Sequence, residues 1–454
     1  MLKSISPVTG ALIQSYSEMS REQIQTVIQK THRAHLIWRH TTFSERIKRL
    51  KKLSDLLRQE IETHARLVTL EMGKPIKEAR AEIEKCAWVC DYYAENAERF
   101  LADLPIKTDA GKSFVSYQPL GVVLAIMPWN FPYWQVLRFA APTLTAGNGV
   151  LLKHAPNVTG CALAIETLFL QAGFPENVFT TLRADVDHVS GMIENPLVRA
   201  VTLTGSTRAG SAVAQKAGEM LKKTVLELGG SDPYIILEDA DLEAAATACV
   251  TSRLINSGQS CVAAKRFIVP ESIAERFEGL MVEKMRAMQT GDPMLEETQI
   301  GPLARTDLRD NLHRQVTKSI SAGATCLLGG KIPPGDGAFY PPTVLGNVQQ
   351  GMPAYHEELF GPVASIITVK DESEAILVAN SSAYGLGAAI FTGDAAKGER
   401  IAKYELEAGN CFVNDFVKSD PRLPFGGVKQ SGIGRELSHF GIHEFVNIKT
   451  VYRK

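Results

Sequence analysis

The chain has 454 residues, more than one hydrophobic core usually supports, so two or three domains are expected. Its 49 Lys and Arg residues against 50 Asp and Glu leave a net charge of -1, which gives no electrostatic reason to expect nucleic acid or an anionic membrane as a partner. The composition is 45% hydrophobic and 22% charged, and no uncharged apolar run approaches the roughly 20 residues that span a bilayer.

The seven cysteines are scattered, at positions 86, 90, 161, 249, 261, 326 and 411. This spacing is typical of neither a disulfide framework nor paired zinc knuckles, and it favours a reducing compartment. Residues 1–7 turn polar too early for the apolar core of a signal peptide. We therefore expect a cytoplasmic protein, with no metal site.

Residues 20–104 have the periodicity of helices. The segment 42–45, Thr-Phe-Ser-Glu, fits a capping box, and apolar residues follow it at helical spacing. Lys and Glu fill the opposite faces, which indicates a solvated surface.

Beyond residue 112, strand-like and helix-like segments alternate. A β-like segment at 113–119 comes first. Apolar strands are then predicted at 121–128, 149–153, 198–204, 232–237, 266–269, 363–369, 388–392 and 410–413. The helices predicted between them are 134–146, 157–172, 208–222, 239–254, 271–289, 305–322, 371–380 and 394–407. This alternation predicts an α/β fold with parallel sheets buried on both faces. The tail adds a strand at 446–452, a candidate to pair with 113–119 in a small separate sheet.

Two residues within 227–261 have the chemistry of a base and a nucleophile. Glu227 is a charged residue in the apolar strand Thr-Val-Leu-Glu-Leu, and a carboxylate buried there must be paired, protonated or functional. Cys261 follows Gly-Gln-Ser, which permits a sharp turn around a reactive thiol. A satisfied buried pair for Glu227 and a plain buried cysteine for Cys261 remain open at this point.

Polar residues follow the predicted strands, where parallel sheets bind their ligands. Asn130 stands between Trp129 and Phe131-Pro132, and its amide suits an oxyanion as well as a turn. The segment Gly205-Ser206-Thr207 precedes a helix, where backbone N–H groups suit a phosphate.

Six ordered motifs make the chain resemble the NAD(P)-dependent aldehyde dehydrogenase superfamily over essentially its whole length. They are Pro-Trp-Asn-Phe-Pro at 128–132, Leu-Thr-Gly-Ser at 203–206, Leu-Glu-Leu-Gly-Gly at 226–230, Gly-Gln-Ser-Cys at 258–261, Glu-Glu-Leu-Phe-Gly-Pro at 357–362 and Pro-Phe-Gly-Gly at 424–427. The resemblance implies that Cys261 attacks an aldehyde, that Asn130 and the Cys261 N–H hold the oxyanion, and that Glu227 activates the water that hydrolyses the thioester.

The resemblance also implies a site for NAD or NADP. Its contacts carry over to Trp129, Lys153, Gly205, Ser206, Glu358 and Phe360. NAD-preferring relatives usually place a Glu three residues after the lysine, where this chain has Pro156. The missing carboxylate removes repulsion of a 2′-phosphate, so we expect NADP to be tolerated.

Within the family the chain looks most like the bacterial succinate-semialdehyde dehydrogenase branch, which oxidises that substrate to succinate. Arg138 and Ser419 match positions that bind the distal carboxylate of the substrate. Ile255 replaces a second arginine of that branch; either Arg253 substitutes for it, or Arg138 and Ser419 act alone. Val262 and Ala263 leave no second cysteine for a redox switch.

The expected architecture is a Rossmann-type cofactor domain at 1–106 and 121–229, and an α/β catalytic domain at 230–420. By resemblance, 107–120 and 440–454 form a small β element that assembles a homodimer or homotetramer. Three other functions stay open: oxidation of another semialdehyde or an uncharged aldehyde, a binding protein with an inactive dehydrogenase fold, and a cysteine hydrolase. The last lacks a histidine in any motif near Cys261.

Overall fold

The computed structural model describes all 454 residues. It opens with an antiparallel pair of strands, Leu2–Ile5 and Leu12–Tyr16, which sequence patterning missed because both are short. Four helices occupy the region predicted to be helical: Arg21–Trp38, Phe43–Gln59, Ile61–Met72 and Ile76–Phe100. The capping box predicted at Thr42 is confirmed, because Thr42 and Glu45 exchange side-chain-to-backbone hydrogen bonds. None of the helices combines the length and the apolar character that crossing a bilayer requires.

The first sheet has six strands. Their spatial order is Gly432–Ile433, Lys223–Glu227, Val198–Thr204, Val122–Met127, Gly149–His154 and Phe179–Thr181. All neighbours are parallel except Gly432–Ile433, which runs antiparallel to the strand that ends at Glu227. The helical segments between these strands are Trp134–Thr145, Pro156–Val158, Thr159–Gln171, Val186–His188, Val189–Glu194 and Thr207–Glu219. A Cβ atom on Gly432 would lie 1.8 Å from the Leu226 carbonyl oxygen, so only glycine fits there.

The second sheet has seven strands. Their order is Thr325–Leu328, Thr343–Gly346, Val363–Val369, Arg266–Pro270, Pro233–Ile236, Gly387–Phe391 and Asn410–Val413. Only the edge strand Thr325–Leu328 is antiparallel. The helical segments between these strands in the chain are Leu242–Leu254, Ile255–Gly258, Glu271–Arg286, Thr306–Ser321, Pro353–His356, Glu372–Asn380 and Ala395–Tyr404. Alternate residues of its strands enter different cores, as Tyr234 and Ile235 do, so both faces are buried and the predicted α/β class is confirmed.

A small third sheet contains the strands Val446–Arg453, Lys112–Pro119 and Leu104–Pro105. The predicted pairing of the tail with the 113–119 segment is confirmed: the two strands are antiparallel from Val446 opposite Pro119 to Arg453 opposite Lys112. The remaining elements are the strand pair Tyr384–Gly385 with Val428–Lys429 and the helix Ser438–His443. The role of the third sheet in assembly, and the domain boundaries, stay predictions.

The N-terminal helices share one core with the first sheet. Trp38, Leu53, Val89, Val123 and Leu152 all belong to this single buried cluster. The Ile76–Phe100 helix is therefore fixed against the Trp134–Thr145 helix, and it brings side chains from early in the chain to the edge of the site.

Candidate active site

Two cavities meet at Cys261. One, about 170 Å³ in volume, lies against the Ile76–Phe100 and Trp134–Thr145 helices, and we call it the helix-lined cavity. The other, about 290 Å³, lies beyond the carboxyl ends of the first sheet's strands, and we call it the strand-end cavity. Cys261 and Gln135 line both. A thiol at this junction can react with a molecule in one cavity while a second molecule occupies the other.

Residues 256–261 form the turn that presents Cys261, which we call the nucleophile turn, and its backbone is unusual. Asn256 and Ser257 both have φ of 53°, and Gly258 has φ of 78°. A Cβ atom on Gly258 would lie 2.3 Å from the backbone of Gly361, so the 258–261 and 357–362 motifs are fitted closely to each other. Left-handed backbone at two consecutive non-glycine residues costs on the order of 1–3 kcal/mol each, and surrounding hydrogen bonds must maintain it.

Asn130 and Asn256 supply part of that network. The Asn256 side-chain amide donates to the Asn130 carbonyl oxygen at 2.7 Å and to the Gln259 carbonyl oxygen at 3.1 Å. The Asn130 amide donates to the same Gln259 oxygen at 3.1 Å. In addition, the Asn256 backbone N–H donates to the Glu78 carboxylate at 2.6 Å. Asn130 is thereby held beside the nucleophile turn, with its second amide hydrogen free to bind a ligand.

The Cys261 thiol is protonated at neutral pH in this environment. Burial raises the pKa of the thiol to about 12, against the opposing effects of the Lys265 and Arg138 cations. Lys265 donates to the carbonyl oxygens of Ser260, at 3.0 Å, and of Cys261, at 2.6 Å. A base must therefore remove the thiol proton before Cys261 can act as a nucleophile.

Glu227 is the candidate base. It is 2% exposed, and neither carboxyl oxygen has a hydrogen-bond partner in the protein. Burial, and then the neighbouring Glu436 carboxylate, raise the pKa of Glu227 well above its usual range, while Arg138 and Arg435 oppose the shift. A Cβ atom on Gly426 would lie 2.8 Å from the Glu227 Oε1 atom, which explains the glycine of the 424–427 motif. The raised pKa makes the carboxylate form of Glu227 a stronger base than an ordinary glutamate.

The strand-end cavity has the features of a nucleotide site. Trp129, Gly205, Ser206, Glu358 and Phe360 line it, as expected for residues that follow parallel strands and for the 357–362 motif. The Ser206 hydroxyl caps the Thr207–Glu219 helix, whose N-terminus favours a phosphate.

Glu358 is fixed inside this cavity. Its carboxylate accepts a hydrogen bond from the Gly230 N–H at 3.0 Å and lies 3.5 Å from the Lys265 ammonium. A Cβ atom on Gly229 would lie 2.6 Å from the other carboxylate oxygen, so the paired glycines allow this close approach. The fixed carboxylate suits a ribose hydroxyl, and the residues present fit a dinucleotide.

Known proteins place the chain in a family. The model of the aldehyde dehydrogenase family matches residues 1–451. The chain belongs to this family. The NAD(P)+ succinate semialdehyde dehydrogenase of Escherichia coli is 50% identical, over 99% of this chain and 97% of that protein. The probable NADP+ succinate-semialdehyde dehydrogenase of Synechocystis is 48% identical, over 99% of each chain. A succinic semialdehyde dehydrogenase from Streptococcus pyogenes, solved with NADP+ as its cofactor, is 38% identical, with a TM-score of 0.97 over 100% of this chain and 99% of that one.

Most of the site residues predicted for this aldehyde dehydrogenase are brought together around Cys261. Arg138 and Ser419 line the helix-lined cavity, and Asn130 lines the strand-end cavity. Glu227 lies near enough to influence the Cys261 thiol electrostatically, although it lines neither cavity.

Besides Glu227, two predicted site residues lie outside both cavities. Arg253 is completely buried, and its guanidinium donates to the Gly258 carbonyl oxygen at 2.5 Å, so in this structure it supports the nucleophile turn. Lys153 is 4% exposed, and burial lowers the pKa of its ammonium group.

Three side chains of the site were missed in the sequence. Lys74, Glu82 and Lys85 fall in the stretch whose charged faces were interpreted as solvated, and that interpretation is wrong for them. Lys74 and Glu82 form an ion pair in which both side chains are 1% exposed. Glu82 also accepts hydrogen bonds from the first backbone N–H groups of the helix that carries Arg138. Lys85 lines the helix-lined cavity. Glu78, Glu82 and Lys85 lie on one face of the Ile76–Phe100 helix at i, i+4 and i+7, and only that spacing could have indicated a shared buried face.

Proposed function

We propose that this aldehyde dehydrogenase oxidises succinate semialdehyde to succinate with NAD or NADP. The observation that carries the proposal is that the cavity next to the Cys261 thiol also contains Arg138 and Ser419, groups able to bind a carboxylate. The names of the relatives, 45–50% identical along the whole chain, support the same substrate.

Cys261 and Asn130 perform the first covalent step. The Cys261 thiolate attacks the aldehyde carbon, a C–S bond forms, and the carbonyl electron pair moves to oxygen. The Asn130 amide and the Cys261 N–H, which has no acceptor within the chain, donate hydrogen bonds to that oxyanion. One such donor supplies on the order of 3 kcal/mol of transition-state stabilisation.

Glu227 moves the protons. In its carboxylate form it accepts the thiol proton of Cys261 before the attack, and that proton then passes to solvent. Once hydride has left the carbon and a thioester has formed, Glu227 accepts the proton of the water that attacks the thioester carbon. This second attack breaks the C–S bond and releases the carboxylic acid, and Glu227 returns its proton to the Cys261 sulfur. A positioned general base typically contributes about 10²- to 10⁴-fold in rate. Its raised pKa strengthens the carboxylate form of Glu227 as a base in both proton transfers.

The strand-end cavity holds the dinucleotide. Gly205, Ser206 and the helix N-terminus would bind its phosphates, and Glu358 a ribose, with Trp129 and Phe360 beside it. Lys153 would contact the adenine-side ribose. A bound nicotinamide supplies the hydride acceptor for the oxidation. Pro156 places no carboxylate near the ribose 2′ position, so the phosphorylated cofactor is accepted.

Assembly and location complete the proposal. The third sheet leaves large apolar side chains exposed, among them Leu104 at 50%, Ile448 at 64% and Tyr452 at 52%, which suits burial in a homodimer or homotetramer. All seven cysteines are unpaired, in keeping with a cytoplasmic location. Sedimentation of the purified protein tests the assembly; a monomer at micromolar concentration contradicts it.

Steady-state kinetics tests the substrate. We expect the kcat/KM for succinate semialdehyde to exceed that for butanal, which has the same carbon chain without the carboxylate, by about 100-fold or more. Both NAD and NADP should support turnover, and Cys261→Ala should abolish it. Equal efficiency on the two aldehydes would refute carboxylate recognition and favour an uncharged aldehyde as the substrate.

A further inference from the structure

The helix-lined cavity contains three cationic side chains, and two of them already have carboxylate partners. Arg138 forms a buried ion pair with Glu436, the side chains being 2% and 6% exposed. Lys418 pairs with Asp415 at 2.7 Å. Lys85 has no carboxylate within ion-pair distance. Lys85 is therefore the one cation in the lining of this cavity without an ion-pair partner, and the Glu78 and Glu82 side chains line the same cavity.

Lys85 is fixed in place by neutral groups. Its ammonium donates to the Ser419 hydroxyl oxygen at 2.8 Å and lies 4.4 Å from the centroid of the Trp134 ring. Lysine has three N–H donors, and only one of them is used here. Because the Ser419 oxygen accepts from Lys85, its own O–H remains available, and it has no acceptor in the protein. Two ammonium N–H groups and one hydroxyl group therefore have no hydrogen-bond acceptor in the protein.

Arg138 is less free to act as the main anchor. The Glu436 carboxylate neutralises its charge, and its guanidinium lies 4.9 Å from the centroid of the Phe425 ring. Drawing Arg138 away to a ligand would leave Glu436 buried without its cation, which is costly.

We propose that Lys85, together with the Ser419 hydroxyl, is the principal binding site for the carboxylate of the substrate, and that Arg138 supports it while paired with Glu436. This inference rests on the proposed function, because it names the group that recognises the distal carboxylate. It makes Lys85, from a helix early in the chain, the residue that separates semialdehydes from uncharged aldehydes.

Substitution of Lys85 tests the assignment. In Lys85→Met we expect the kcat/KM for succinate semialdehyde to fall about 10- to 100-fold, mainly through KM, because a hydrogen bond to a charged group is lost. The kcat/KM for butanal should stay within about threefold. Lys85→Arg keeps the charge and should recover most of the loss. Lys77→Met removes an exposed charge from the same helix and should leave both substrates unaffected.

The outcomes separate the inference from the proposed function. A wild-type enzyme that does not prefer succinate semialdehyde to butanal overturns both. A wild-type preference that Lys85→Met retains overturns the role of Lys85 alone, and assigns the carboxylate to Arg138.

A second measurement needs only the wild-type enzyme. Burial, and then the Arg138 cation, lower the pKa of Lys85 to about 8, against the opposing effects of Cys86, Asp420 and Glu82. Lys85 therefore loses its charge as the pH rises through about 8, and the KM for succinate semialdehyde should rise there while that for butanal does not. A constant ratio of the two KM values from about pH 7 to about pH 9.5 overturns the proposal, even if Lys85→Met fails to fold.

Discussion

Asn256 offers a test of how the nucleophile turn is maintained. The residue is completely buried in the left-handed region, with φ of 53° and ψ of 40°, and its amide donates to the carbonyl oxygens of Asn130 and Gln259. We compare Asn256→Gly with Asn256→Ala. Both remove the amide, but only alanine adds a Cβ atom to a backbone conformation that glycine adopts without strain.

The expected magnitudes follow from those contacts. Removing the amide leaves the Asn130 carbonyl oxygen buried without a donor, which costs about 1–3 kcal/mol of unfolding free energy. Alanine adds roughly 1 kcal/mol for the left-handed backbone, so Asn256→Ala should lose about 2–4 kcal/mol. Because Asn130 and the nucleophile turn are then displaced relative to each other, kcat should fall about 10- to 100-fold in both variants.

Denaturant unfolding and NAD(P)H absorbance at saturating aldehyde measure the two effects. Asn414 is a matched control, since it also has a left-handed φ, of 55°, but is exposed and lines neither cavity. Asn414→Ala should be less stable than Asn414→Gly, with kcat unchanged. If Asn256→Gly and Asn256→Ala both keep the wild-type kcat, the positioning role of Asn256 is wrong. If they unfold at the same denaturant concentration, the backbone argument is wrong.

Three further results are expected. At pH 7 iodoacetamide should alkylate Cys261 of the free enzyme more slowly than the exposed Cys326, because burial raises the pKa of the Cys261 thiol to about 12. The alkylation rate of Cys261 should rise as the pH increases. Peptide mass spectrometry that finds Cys261 modified first contradicts this prediction. Lys74→Met should lower the unfolding free energy by about 3–5 kcal/mol, since it leaves the buried Glu82 carboxylate without its cation; a loss below about 1 kcal/mol in denaturant titration would show that the pair matters little. Pro156→Glu should raise the KM for NADP about tenfold or more relative to NAD, through repulsion of the 2′-phosphate, and an unchanged ratio would place that phosphate elsewhere.

Much of the fold could be predicted because its strands are buried on both faces. The predicted strands at 198–204, 363–369 and 410–413 match the observed ones to the residue, and the predicted helices beyond residue 112 begin and end within three residues of the observed positions. Phe179–Thr181 was missed because three residues give no readable periodicity. Thr343–Gly346 was missed because Pro342 precedes it and Gly346-Asn347 end it, residues that are typical of turns.

The residues of the site also differ in whether the sequence alone identifies them. Cys261, Glu227 and Asn130 stand in unusual local patterns, so the sequence alone singled them out. Lys85 and Ser419 make one hydrogen bond across 334 positions of the chain, and nothing near either residue in the sequence indicates the other. Tertiary packing decides which charged residues of the Ile76–Phe100 helix are buried and which face water. The positions of Lys and Glu in the sequence do not reveal this.

The short strand Gly432–Ile433 has a consequence for biosynthesis. It covers the edge of the first sheet beside the strand that ends at Glu227, so before residues 432–433 are synthesised that strand has only one neighbour, Val198–Thr204. Glu436, which raises the pKa of the base, and Gly426, which packs against it, are also synthesised late. A chain truncated before residue 426 would therefore carry Cys261 and Glu227 without Gly426 and Glu436, the groups that pack against the base and raise its pKa.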